Sequence, residues 1–480
     1  MSQKTIELIY QWASHDDLVA IEDQGKPITY SQLWHGIQNA VSLFDGVSKI
    51  GIISSNTSEY IVLLLAALYR GMTVVPIPHF FSKAQKAKIV KLSELDMIFA
   101  CEQSIKEFAN AKPIPEINFI DSKKEFISSV PTSKKIIFTS GTTGSPKGVC
   151  LLESAQEKNI SHLLDVLNPS NKKRYLSLLP FSMLLEEICA LHMVFQSGST
   201  LIIEKDFFDC LLKKQYSSII ELLEKHSPNY LMIVPDILKF WLFELEITKS
   251  KLTSSLEFVA IGGGKTPITI LEQAQNFGIP VFEGYGLSEA SSVVSFNVPG
   301  NSKLGSVGKP FQHQNLEIID GEIVLHGDSS FSGYLNDYRS QDDLFFTGDL
   351  GRLDDDGFLF IDGRKDNILV TGTGRNISPE WIENIFNASI MITKSIAFVN
   401  NTCEVNLLVV LSPIAESIHR DDLLQRLNQL SQELPFYARP TKVFTTEGTN
   451  RECFSENGKP KRKNISMLEG TFKLLMRDAA

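Results

Sequence analysis

Ile136-Ile137-Phe138-Thr139-Ser140-Gly141-Thr142-Thr143-Gly144-Ser145-Pro146-Lys147-Gly148-Val149 runs an apolar strand into a loop suited to a polyanion. Its three glycines let the backbone reach φ > 0 and approach a ligand closely, while five hydroxyls and one lysine aim donors into a small volume. The pattern is not a Walker A loop, because no Gly-Lys-Ser/Thr follows four residues after a glycine. It is not a GxGxxG dinucleotide turn either. A plain surface turn also favours Ser, Thr and Gly. The order hydroxyl-hydroxyl-Gly-hydroxyl-hydroxyl-Gly-x-Pro-Lys-Gly behind a buried strand is more restrictive, and it reads as phosphate chemistry.

Upstream of this loop the grammar is βαβ. Ser31 to Phe44 has apolar positions at helical spacing, Ile50 to Ile53 reads as a short buried strand, Ser58 to Tyr69 as an apolar helix, and Thr73 to Pro78 as a strand closed by prolines. Downstream, a helix is expected near Ser154 to Leu167. Apolar runs at Arg174 to Leu179, Leu201 to Ile203, Tyr230 to Val234 and Phe258 to Ile261 continue the alternation. Such a pattern predicts a largely parallel sheet with helices on both faces.

A second motif is Val281-Phe282-Glu283-Gly284-Tyr285-Gly286-Leu287-Ser288-Glu289. A tyrosine between two glycines can offer its face to a purine, and Glu289 can give a hard carboxylate oxygen to Mg²⁺. A glycine-rich turn would explain the glycines but not the coupled Tyr and Glu. From Gly305 the spacing changes to short strands and turns, which predicts a small β-barrel or curled sheet. Asp349, in Phe345-Phe346-Thr347-Gly348-Asp349, can accept from both ribose hydroxyls. Arg364, in Asp362-Gly363-Arg364-Lys365-Asp366, brings a fixed donor fork. Either charge alone would read as a solvated turn.

The 480 residues allow two to four domains, and 43% hydrophobic with 21% charged content is that of an ordinary globular enzyme. A net charge of -10 argues against a nucleic-acid binder, although Lys459 to Lys463 form a basic cluster. Six cysteines lie far apart without CxxC pairing and read as thiols of a reducing compartment. Met1 to Glu7 has no apolar segment of the secretory kind. The longest apolar run, Ile61 to Tyr69, falls well short of the roughly 20 residues a membrane span needs. The expectation is a cytoplasmic protein with no nucleic-acid partner and no integral membrane association.

Together these stretches resemble the adenylate-forming superfamily, in its acyl-CoA synthetase and fatty acid ligase branch. The resemblance implies an N-terminal AMP-binding domain over 1–364, a hinge at 365–367 and a mobile α+β lid over 368–480. It implies ATP and Mg²⁺, a carboxylic acid activated as its acyl-adenylate with release of pyrophosphate, and then a thioester with CoA. A hydrophobic, fatty acid is the expected substrate. The alternative acceptor is the phosphopantetheine of a separate acyl carrier protein acting in trans.

Residue by residue, the resemblance places Thr139, Ser140, Gly141, Thr142, Thr143, Gly144 and Lys147 on the phosphates, and Gly262 and Gly263 of Gly262-Gly263-Gly264 along the adenine and the acid. Gly284, Tyr285, Gly286, Leu287 and Ser288 hold the nucleotide, with Tyr285 stacked on adenine. Glu289 and Thr143 hold the metal, and Asp349 and Arg364 bind the nucleoside. The catalytic set is Lys459, Glu289 and Thr142, with Lys459 following Asn457-Gly458. Asp366 is the hinge, about which the loop Gly372 to Arg375, including Gly374, swings in for the thioester step. Two departures stand out. Met183 replaces the histidine of the family's Leu-Pro-Leu-x-His-x-x-Glu stretch, and reads equally as a core or a pocket-lining residue. Asn367 replaces the acidic residue usual after the hinge. No Phe-Asp pair near Phe181 marks a peptide-synthetase adenylation domain.

Overall fold

The computed structural model describes the chain except for residues 1–2, 16, 121–133, 140–145, 168–171, 213–217, 251–254, 327–330, 336, 339–343, 373, 449, 455–459 and 478–480. Two large sheets dominate. One has eight strands, in the order Asp337–Tyr338, Gly333–Tyr334, Lys147–Leu151, Lys134–Thr139, Thr73–Pro76, Lys49–Ile53, Met97–Ala100, Ala111–Pro113. Its last five strands pair in parallel. The other has nine strands, and its centre, from Val281–Leu287 through Phe258–Ile261, Tyr230–Ile233, Arg174–Ser177 and Thr200–Ile203 to Val19–Asp23, is parallel throughout.

The helix Ser58–Tyr69 is buried on every face, with only Glu59 excepted, so its near-continuous apolar sequence sits inside the core. Thr57 caps it, accepting from the Tyr60 amide at 3.2 Å. Trp241, Tyr30 and Tyr60 are among the largest side chains sealed in the same core. Each such burial contributes roughly 1.5–3 kcal/mol, which outweighs the weak intrinsic preference of any single helix.

The elements read from sequence are present within a few residues of the expected ends, with one addition. The strand into the glycine loop does not lead directly to a helix. Lys147–Leu151 returns antiparallel to Lys134–Thr139, with Thr139 opposite Lys147, and the helix Glu153–Leu167 follows. The strands on either side of residues 140–145 therefore pair as a hairpin. The barrel expected after Gly305 takes the form of a four-stranded antiparallel sheet, Leu316–Ile319, Glu322–Leu325, Phe345–Leu353 and Leu359–Arg364, whose outer strands do not pair with each other. Too few strands are present to close it.

A 3₁₀ turn, Lys365–Asn367, then leads to a sheet of Ile392–Val399, Val405–Leu411, Lys442–Thr445 and Lys473–Arg477, packed on the helices Pro379–Asn387 and Arg420–Gln432. This part has its own apolar core, around Phe386, Leu407 and Leu427. The ammonium of Lys239, on helix Pro235–Thr248, meets it by donating to the Ile392 carbonyl at 2.8 Å. One irregularity matters below. Between the helical turns Leu184–Glu187 and Val194–Gln196, residues Ile188–Met193 form a π-helical turn. Among the described residues no helix is long and apolar enough to cross a membrane.

Candidate active site

The strand Val281–Leu287 runs through a bulge at Tyr285/Gly286 against Ser292–Phe296. The bulge turns the Tyr285 hydroxyl toward the four-stranded sheet, where it donates to Asp349 Oδ2 at 2.6 Å. Burial, and then the Asp349 carboxylate, push the Tyr285 pKa well above its usual value, so the phenol stays a donor. Arg364 lies opposite Asp349 in the sheet and holds Oδ1 at 2.8 Å while also donating to the Thr347 carbonyl at 3.1 Å. A carboxylate has about four lone-pair sites, so Asp349 keeps capacity for further donors after these two contacts.

A second group gathers at the foot of the glycine loop. Glu289 lies in the 3₁₀ turn Ser288–Ala290, and its Oε1 accepts from the Tyr334 hydroxyl at 3.0 Å. The Lys147 ammonium stands 5.1 Å from the centre of the Tyr334 ring, and Tyr334 pairs with Val149 on the return strand of the hairpin. Lys147, Tyr334 and Glu289 thus form one chain of contacts. Ser140, Gly141, Thr142, Thr143 and Gly144 lie outside the described residues, as does Lys459; Thr139 ends the incoming strand.

Asn159 ties the turn to the helix Glu153–Leu167. Fully buried on the helix that follows the hairpin, it donates to the carbonyls of Ala290 at 3.1 Å and Ser291 at 2.8 Å. Its own oxygen faces His313 Nε2 at 2.9 Å and Gln314 Nε2 at 3.2 Å. The clamp holds a strained backbone: Ser291 has φ 56° and Ser292 φ 101°. Gly286 makes this fold possible, because a Cβ there would lie 1.7 Å from the Ser292 oxygen.

Among the described residues no group of three or more carboxylate, imidazole or thiol side chains could hold a metal by itself. The single Glu289 carboxylate is a donor of the kind Mg²⁺ takes, since that ion usually binds one or two protein carboxylates and completes its shell with water and substrate phosphate. The glycine turn stands beside Tyr285. Gly263 has φ +82°, and a Cβ on Gly262 would lie 3.8 Å from the Gly284 oxygen. Farther along the chain, Asp366 sits within the 3₁₀ turn Lys365–Asn367. Asn367, where an acidic residue was expected, donates to Glu380 at 2.6 Å, and Ser378 caps the next helix. Gly374 has φ +75°, and the neighbouring Arg375 guanidinium lies 4.2 Å from the centre of the Tyr437 ring. Arg462, three residues past Lys459, anchors this tail by donating to Glu383 at 2.7 Å.

Two buried groups carry no signal in the sequence strong enough to single them out. Glu186 accepts from Ser177 Oγ at 2.6 Å and from the Tyr175 hydroxyl at 2.9 Å, and burial raises its pKa to about 8. Lys135, in the strand leading to the glycine loop, pairs with Glu187 in the interior, and His192 and Thr5 extend that network. The available clues were a lysine in an apolar run, two adjacent glutamates, and the place of Glu186 as the closing Glu of the Leu-Pro-Leu-x-His-x-x-Glu stretch. Met183 is partly buried and packs on the main core at the start of the same helix.

A model for the family described as AMP-binding enzyme matches residues 9–335. The 2-succinylbenzoate--CoA ligase of Bacillus licheniformis is 26% identical over 405 residues, covering 77% of this chain and 81% of that protein. Among solved structures, O-succinylbenzoate Coenzyme A Synthetase (MenE) from Bacillus subtilis, in complex with ATP and magnesium ion, superimposes with a TM-score of 0.78 at 21% identity, over 95% of this chain and 98% of that one. The anthranilate CoA ligase AuaEII, in complex with anthranoyl-AMP, gives a TM-score of 0.83 at 15% identity, over 98% and 97%. These two likenesses speak for the fold; the family match spans most of the chain. The chain therefore belongs to the AMP-binding enzyme family.

Proposed function

We propose that the chain is an AMP-forming acid–thiol ligase. An acid carboxylate attacks the α-phosphate of ATP, the bond to pyrophosphate breaks, and the thiol of CoA then displaces AMP from the acyl-adenylate. The observation that carries this reading is the Tyr285–Asp349–Arg364 cluster, together with Glu289 of the same stretch tied through Tyr334 to the strand that follows the glycine-loop residues. In it, Tyr285 presents its ring to adenine, the remaining lone pairs of Asp349 receive the ribose hydroxyls, and Arg364 fixes that carboxylate. Gly262, Gly263, Gly284, Gly286, Leu287 and Ser288 border the nucleotide and the acid.

Glu289, with Thr143 from the loop, would hold Mg²⁺, which supplies charge neutralisation for the phosphates when bound. Thr139 to Gly144 and Lys147 position the triphosphate. Lys459 stabilises the charge that develops as pyrophosphate leaves, so the protein contributes positioning and electrostatics rather than covalent chemistry. The division into 1–364, 365–367 and 368–480 lets the second part turn about Asp366, exchanging Lys459 for the Gly372 to Arg375 loop between the two steps. The separate apolar core after the 3₁₀ turn supports that division.

The named relative supports CoA as the acceptor. It lends no support to an acyl carrier protein, or to a fatty acid, since its own acid is aromatic. The test is a pair of variants. Lys459→Ala abolishes acid-dependent exchange of pyrophosphate into ATP, whereas Asp366→Pro retains exchange and loses thioester formation. Full exchange in Lys459→Ala would reject the assignment.

A further inference from the structure

Behind the glycine turn lies an apolar cavity of about 20 Å³. Two of its wall residues lie against the turn itself, and a third against Gly284 beside it. A Cβ on Gly262 would meet Met232 Cε at 3.3 Å and Leu185 Cδ2 at 3.6 Å, and one on Gly284 would collide with the Phe296 ring. Only a glycine backbone therefore separates the cavity from the candidate site. Its floor is the parallel sheet, through Tyr175, Tyr230, Phe258 and Ala260. Its roof is the irregular helix, through Leu185, Cys189 and Met193.

No lysine, arginine or histidine is among the described residues lining it. The polar atoms that do reach the wall are engaged elsewhere. The Tyr175 hydroxyl donates to Glu186, and the Tyr230 hydroxyl donates to Glu257 at 3.2 Å. Burial, and then Glu186, push the Cys189 thiol up, so it stays uncharged. What remains for a ligand is ring faces, methyl groups and thioethers.

We infer that the acid activated by this chain is a compact aromatic monocarboxylic acid, whose uncharged body enters this cavity while its one carboxylate stays at the Gly262–Gly284 rim. The inference rests on the ligase reading above. A second carboxylate carried inward would lose its hydration and, among the described lining residues, find no counter-charge and no donor stronger than the Cys189 thiol, which sets this chain apart from a 2-succinylbenzoate ligase. At about 20 Å³ this cavity is far too small for a long alkyl chain. The cavity as it stands has room for little more than one water, so a ring enters by displacing the Met193, Met232 and Leu185 side chains, and methionine yields readily. Four aromatic rings in the wall favour an aromatic guest in offset or edge-on contact.

The experiment is acid-dependent pyrophosphate–ATP exchange with the full chain, run with benzoate, phenylacetate, phthalate, 2-succinylbenzoate and palmitate. The best aromatic monocarboxylate is expected to exceed both dicarboxylates and palmitate in kcat/KM by about a hundredfold or more. Met193→Arg, which adds a cation to the roof, should move the ratio of 2-succinylbenzoate to benzoate upward by at least about tenfold. Ala260→Leu should lower kcat/KM for the aromatic acid while leaving the KM for ATP unchanged. A dicarboxylate or palmitate equal to or better than the monocarboxylates overturns this inference and leaves the ligase reading standing. No exchange with any of the five acids overturns both.

Discussion

The Tyr285 hydroxyl and the Asp349 carboxylate are joined at 2.6 Å, so the residue proposed to stack on a base also orients the residue proposed to hold the sugar. Tyr285→Phe keeps the ring and removes the bond. Loss of a hydrogen bond to a charged acceptor costs about 1.5–3 kcal/mol, so ATP affinity should fall by roughly ten- to hundredfold. Tyr285→Ala removes stacking as well and should fall further. Calorimetric titration with ATP checks both, and equal affinities for the two variants would show that the ring contributes nothing.

Glu186 makes a pH prediction. Its folded pKa of about 8 lies above the ordinary 4.5, so between these values the folded chain keeps a proton that the unfolded chain releases. The stabilising contribution of the protonated form is complete below about 4.5 and is lost as pH rises through 8. The slope is at most about 1.4 kcal/mol per pH unit. Glu186→Gln should match the parent in thermal melts near pH 5 and exceed it near pH 9. Parallel Tm profiles would place the proton elsewhere.

Lys135 and Glu187 form an ion pair sealed from solvent. Lys135→Met alone leaves an uncompensated carboxylate and should cost about 3–5 kcal/mol in denaturant titrations. Adding Glu187→Leu should recover most of that loss, because two well-packed apolar groups replace a pair whose desolvation is expensive. If the double variant is as unstable as the single one, the wider network through His192 and Thr5 sets the stability rather than the pair.

Asn159→Asp preserves shape but turns a double donor into an acceptor facing the Ala290 and Ser291 carbonyls. Amides of residues 288–293 should exchange with solvent faster by an order of magnitude or more, while the distant sheet of residues 392–477 remains protected. Unchanged exchange in the turn would mean that Gln314 alone suffices to hold it.

Much of this was legible in the sequence because the relevant residues stand together in short, restrictive motifs. The glycine loop, the Gly284 to Glu289 stretch and Asp349 all declare their residue types locally, and strand and helix periods near them are strong. What escaped was non-local. Nothing in Lys134 and Lys135 says which lysine turns inward; that depends on pairing with Lys147–Leu151, the return strand hidden beneath a loop of turn residues. Glu186 reads as part of a helix start, and only the approach of Ser177 and Tyr175 from a neighbouring strand reveals a buried acid. Between the small barrel and the curled sheet that the stretch after Gly305 allowed, the sequence could not choose for a similar reason, since short strands and turns have the same spacing whether or not the sheet closes.

The π-helical turn Ile188–Met193 accommodates one residue more than an α-helical turn. An insertion of this kind rotates everything beyond it by about 100° relative to an uninterrupted helix. Aligned ladder-fashion with a relative that lacks the extra residue, positions before Ile188 and after Met193 fall into different frames. Grafting a specificity residue from such a relative by matching numbers alone would therefore deliver the side chain to the wrong side of the roof. The transplant has to be shifted by one position once the wide turn has been passed.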